Sequence, residues 1–109
     1  MNIFFLDKTP EKSAQYLCDK HIPKMLLESC QMLSTAVRRH LLYDDELPYI
    51  YKSAYPNHPM TKWVCETKDN FDWTLDNALA IYDEYKLVIY DKYKYNNLRL
   101  ANLKFGLQL

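Results

Sequence analysis

The apolar positions change period several times along the chain, and each change predicts an element. Ile3-Phe4-Phe5-Leu6 is a contiguous apolar run closed by Asp7, the pattern of a short buried strand. Thr9-Pro10-Glu11 then offers a capping hydroxyl, a proline for the first helical position and an acid for the first turn. They predict a first helix from about Pro10 to Lys20. Pro23 belongs in the first turn of a second helix, because inside a continuous one it would remove a backbone hydrogen bond. This second helix is expected to reach about Leu42, with Arg38, Arg39 and His40 suited to its negative end. On it His21, Lys24, Glu28, Gln31 and Thr35 follow at steps of 3, 4, 3 and 4, which keeps them on one face. Most of the remaining circumference is apolar or small, so the helix should be central and packed on two or more sides.

Periodicity is lost between Tyr43 and His58, a proline- and tyrosine-bearing loop of a length that often carries function. Asn57 or His58 would cap a third helix, with Pro59 at its first position. That helix is expected to run to about Tyr93, with a break near Thr67-Lys68-Asp69 where capping residues cluster. Phe71, Leu75, Ala78, Tyr82, Tyr85 and Ile89 form its core stripe, beside a second stripe of Trp63, Glu66, Asn70, Trp73 and Asn77. Leu103 to Leu109 alternates strictly and could pair with Ile3–Leu6. The expected fold is mainly α: one domain over residues 1–109, a three-helix core around a central second helix, and a small two-stranded sheet from the chain ends.

With 109 residues the chain can bury a core without metal or disulfides. Three cysteines without a CxxC pair exclude a disulfide framework and a zinc motif, so neither metal nor cofactor is expected. Fourteen basic side chains balance fourteen acidic ones, which weighs against duplex DNA as the main partner, because that binding is driven by excess cations. No signal segment or membrane span is recognisable. A cytoplasmic protein is expected, in an infected bacterial host if phage-encoded, with self-association left open.

Two groups of residues could do chemistry. On the polar stripe, His21 and Lys24 could hold a phosphate or carbonyl while Glu28 accepts from a sugar hydroxyl or base edge, with Gln31 beside them. The plainer reading is a wet helix face on which a Lys24–Glu28 pair contributes about 0.2–0.5 kcal/mol. The second group is Trp63, Trp73 and Asn70, able to stack and read a base, with Asn57 and His58 at the loop junction. Its plainer reading is core tryptophans and helix caps. Cys18 or Cys30 beside a histidine could be a nucleophile, although buried structural cysteine is the commoner use.

Several of these residues carry a resemblance. Cys18-Asp19-Lys20-His21, Lys24-Met25, Glu28 and Gln31-Met32-Leu33, with Asn57-His58-Pro59, Trp63, Glu66, Asn70 and Trp73, resemble a family of small phage and marine-bacterial proteins that has no assigned activity. Its members continue past the tyrosine-rich region, so an end at Leu109 would imply loss of any activity completed by later helices. More distantly, Asp19-Lys20-His21, with Glu28 seven residues after the histidine, is similar to phage pyrimidine-dimer DNA glycosylases of the endonuclease V type. There a histidine opening a helix precedes the catalytic glutamate by the same interval. The Arg38-Arg39-His40 end and the Asn57-His58 entry to the next helix extend the likeness. Those enzymes attack the sugar with the α-amine of a threonine exposed by methionine removal. Here Asn2 follows Met1 and disfavours that removal, and Leu27 and Gln31 stand where phosphate-clamping arginines would be.

The leading expectation is therefore a phage-type protein without catalytic turnover. It would bind a nucleotide-like ligand and sequester a nucleotide immune signal, through His21, Lys24, Glu28, Gln31, Asn57, His58, Trp63, Asn70 and Trp73. One alternative is a DNA glycosylase or abasic-site lyase with Glu28 as its catalytic acid–base. Another is a protein-binding inhibitor working through the tyrosines of the third helix.

Overall fold

A computed structural model describes residues 1–40 and 50–90, with side chains through Leu87. It is mainly helical: α1 (Pro10–Gln15), α2 (Ile22–Arg39), α3 (Pro59–Glu66), α4 (Lys68–Glu84) and a π-helical continuation, Tyr85–Tyr90. The core forms where α2 packs on α4 and α3, around Leu26, Cys30, Met32, Leu33, Val64, Ala78 and Ile81. Ten of the eighteen residues of α2 are buried, the central position that its apolar circumference predicts.

The local start signals act as read. Thr9 caps α1 through its side chain, and Pro23 lies in the first turn of α2. His58 caps α3 through Nδ1, which accepts from the Met60 amide at 3.1 Å, with Pro59 next. The expected long third helix is two helices, broken at Thr67. This residue ends α3 in an extended conformation and caps α4 by accepting from the Asn70 amide.

Three boundaries differ. α1 stops at Gln15 instead of Lys20, because only Ser13 and Ala14 are buried on it and a short helix lasts no further than its tertiary contacts. α2 ends at Arg39, and the expected end at Leu42 lies outside the described residues. Residues 3–6 have no regular structure, and no strand occurs among the described residues. Their proposed partner, 103–109, lies outside them too. Ile3 is buried, whereas Phe5 and Leu6 are exposed. Of the expected core stripe, Ala78 and Tyr82 on α4 and Tyr85 just after it are buried, Phe71 and Leu75 are half-buried, and the side chain of Ile89 lies outside the described residues; Thr74, Asn77 and Ile81 are buried as well.

The segment from Ile50 to Asn57 has no regular structure but is braced against α2. Arg38 donates to the carbonyls of Tyr51 (2.8 Å) and Ile50 (3.2 Å), and Arg39 to that of Pro56 (2.8 Å). Thr35 Oγ1 accepts from the Ala54 amide at 3.0 Å. The basic pair that suits a helix end thus also holds a loop. Within it Tyr55 has φ 46°, the left-handed region, at a cost of about 1–2 kcal/mol for a residue with a Cβ. Tyr55→Gly is expected to stabilise the fold by roughly 0.5–1 kcal/mol, after the larger chain entropy of glycine is deducted, and to raise the calorimetric Tm accordingly.

Candidate active site

The first eight residues have no regular structure and lie on the helical body as a strap whose position is set by side chains far away in sequence. Ile3 is buried. Ser13, fully buried on α1, donates to the Phe4 carbonyl (2.7 Å) and accepts from the Leu6 amide (3.0 Å), so one hydroxyl fixes two strap residues. The Phe5 ring lies against both tryptophans, 5.3 Å edge-on from Trp63 and 4.8 Å from Trp73. Trp73 Nε1 donates to the Lys8 carbonyl at 3.0 Å, and Asn77 Nδ2 to that of Pro10 at 2.9 Å. Asp7 accepts from the Thr9 amide (2.8 Å) and hydroxyl (2.9 Å), and these bonds hold its carboxyl below the usual carboxylate range.

The strap delivers the chain's amino group to the polar stripe of α2. The Met1 nitrogen lies 3.2 Å from Glu28 Oε1, with the Met1 side chain almost wholly buried and that of Glu28 14% exposed. Glu28 Oε2 is buried and accepts no hydrogen bond. A carboxylate in that condition holds an oriented, unused acceptor beside an amine. Glu28 pairs with this amine instead of Lys24, which stands exposed one turn before it. The expected Lys24–Glu28 pair is replaced by a longer-range one.

The other stripe residues sort by position. His21 is half-buried ahead of α2, its ring 5.3 Å from that of Phe4 and its Nδ1 3.3 Å from the Cys18 sulfur. Gln31 is half-buried one turn beyond Glu28. Thr35 is buried under the Ala54 loop, so the stripe is exposed at Lys24 and increasingly covered from Glu28 to Thr35.

The second predicted group is largely committed to structure. Asn70 Nδ2 donates to the Trp63 carbonyl at the end of α3 (2.8 Å), the two tryptophans seat Phe5, and His58 is a cap. Asn57 is exposed in the turn before that cap. Burial pushes the Cys30 thiol up to about 12, and burial also raises that of Cys65, so neither is a thiolate near neutrality. A separate cavity of about 460 Å³, lined by Ala36, Val37, His40, Val64, Cys65 and Phe71 among others, contains none of the predicted site residues. No cluster of three or more metal-ligating side chains occurs among the described residues, and no helix there is long and apolar enough to cross a membrane.

Sequence reasoning gave no place to Ser13, put Asn77 on the second stripe without its bond to Pro10, and did not set the Met1 amine against Glu28. The apolar run beginning at Ile3 carried a signal for the last: a buried segment so close to residue 1 must bring the terminus to the body of the protein.

A family model described as pyrimidine dimer DNA glycosylase matches residues 1–91. No curated protein and no solved structure matches the chain. The family match overturns the leading expectation, a binder that sequesters a nucleotide-like immune signal without turnover. It favours the alternative of a glycosylase-type repair enzyme.

Proposed function

The chain belongs to the pyrimidine dimer DNA glycosylase family, and from that premise we propose that it is a DNA glycosylase and abasic-site lyase acting through its own amino group and Glu28. The observation that carries the reading is the 3.2 Å approach of the Met1 nitrogen to Glu28 Oε1. The resemblance read from the sequence lacked a nucleophile, because Asn2 disfavours removal of the methionine. Met1 supplies the amine directly.

The chemistry follows from the two groups. After transferring a proton toward Glu28, the nitrogen attacks C1′ of the damaged nucleotide, and the base leaves with the bonding electron pair and takes up a proton. Opening of the C1′–O4′ bond, with protonation of O4′, leaves a protonated imine. Glu28 then removes a C2′ proton and the 3′-phosphate departs by elimination. Water finally hydrolyses the imine, releasing an unsaturated aldehyde and regenerating the amine.

The target nucleotide must leave the base stack to reach a nitrogen held against a helix. Overall neutrality does not prevent DNA binding if cations are grouped, and Lys20 and Lys24 stand exposed at the start of α2 beside the pair. They would meet backbone phosphates, which position DNA without reading its sequence. Incubation with a duplex containing an abasic site, followed by borohydride, is expected to yield a covalent adduct that maps to the peptide beginning at Met1. No adduct, or one confined to a lysine peptide such as that of Lys24, would sink the proposal.

A further inference from the structure

Met1 does two things at once. Its amine faces Glu28, and its side chain, only 3% exposed, packs against the hydrophobic core. A chain end held by an ion pair alone frays readily, whereas a buried side chain fixes its own Cα. The amine is one bond from that Cα. Its 3.2 Å approach to Glu28 Oε1 therefore depends on the seat of the methionine side chain as well as on the carboxylate. Methionine suits such a seat, because an unbranched thioether adapts to irregular space.

The residues that follow fix the register. Asn2 is exposed, with its Oδ1 accepting from the Ile3 amide at 2.9 Å, and Ile3 is buried. Ser13 holds the Phe4 carbonyl and the Leu6 amide from α1. To slide by one residue the strap would have to break both bonds, bring Ile3 out of the core and carry the Asn2 amide into the apolar space of Met1. Each of these changes is unfavourable. In a chain without Met1, the α-amine of Asn2 thus stays one residue, ~3.8 Å of chain, behind the place that the Met1 nitrogen holds.

We propose that the site selects methionine at position 1: the buried Met1 side chain is the positioning group for the attacking amine, and a chain that has lost Met1 is crippled although it still carries an α-amine. The inference rests on the glycosylase reading and names what holds its nucleophile. The asparagine that disfavours methionine removal then preserves the residue the site requires.

The test is the rate of borohydride trapping on a saturating abasic-site duplex, for chains released from a tag by a protease that leaves the chosen first residue. Met1→Ala keeps an α-amine but not the anchor. It is expected to form the adduct roughly ten- to hundredfold more slowly, the penalty of a misplaced reacting group, with its affinity for the duplex unchanged. Met1→Leu, close to methionine in volume, should recover most of the lost rate. The chain beginning at Asn2 should fall at least as far as Met1→Ala. Met60→Ala removes another methionine packed against the core and controls for lost packing: it should melt lower yet trap at the wild-type rate. Trapping as fast as the wild type by Met1→Ala, or by the chain beginning at Asn2, overturns the selection and leaves the lyase reading intact. Wild-type protein that forms no adduct overturns the lyase reading and the inference with it.

Discussion

Glu28→Gln is expected to lower strand cleavage at abasic sites by about a hundred- to ten-thousandfold, the usual contribution of a positioned acid–base group. Glutamine has the shape of glutamate and can still accept from the Met1 amine, so the strap keeps its seat. What it lacks is the ability to take the C2′ proton. Imine formation should therefore outlast elimination, and the borohydride-trapped adduct should persist or accumulate in the variant while cleaved product nearly disappears. Single-turnover gels with and without borohydride read both quantities from one reaction. Unchanged cleavage would remove Glu28 from the chemistry.

An added Gly-Ser ahead of Met1 is expected to abolish the trapped adduct, a larger effect than that of any side-chain change. The extension moves the amine away from Glu28 and leaves an amide N–H in its place. It should also destabilise the fold by roughly 1–3 kcal/mol, because a mostly buried carboxylate then loses its charged partner. A protease site that regenerates Met1 gives the control, since removing the extension should restore both the adduct and the Tm. Persistence of the adduct in the extended chain, mapped to a lysine peptide, would show that a lysine, not the amino group, attacks the sugar.

Both experiments act on the contact between Glu28 and the Met1 amine, of which the sequence alone made only the position of Glu28 legible. Glu28 was legible because it sits on a helical stripe whose period is written in adjacent turns. Helix starts were legible for the same reason: Thr9, His58 and Thr67 cap residues two or three positions away, and Pro23 and Pro59 are compatible only with a first turn. The amine was not legible, because its place depends on bonds between residues remote in sequence. Trp73 reaches Lys8 across 65 positions and Asn77 reaches Pro10 across 67. No local period encodes such contacts. The same cause hid the contacts of the mixed stripe: Phe5 of the strap lies on Trp63 and Trp73, while Asn70 donates to the Trp63 carbonyl.

Dependence on those remote bonds has a consequence for how the protein comes into being. Met1 is made well before Trp73 and Asn77, which help fix its strap. At roughly 5–20 residues per second, the interval between synthesis of Glu28 and completion of α4 at Glu84 lasts about 3–11 s. Throughout it the Met1 end of the strap is without the bonds from Trp73 and Asn77 that help fix it, so its contact with Glu28 can form only late in synthesis.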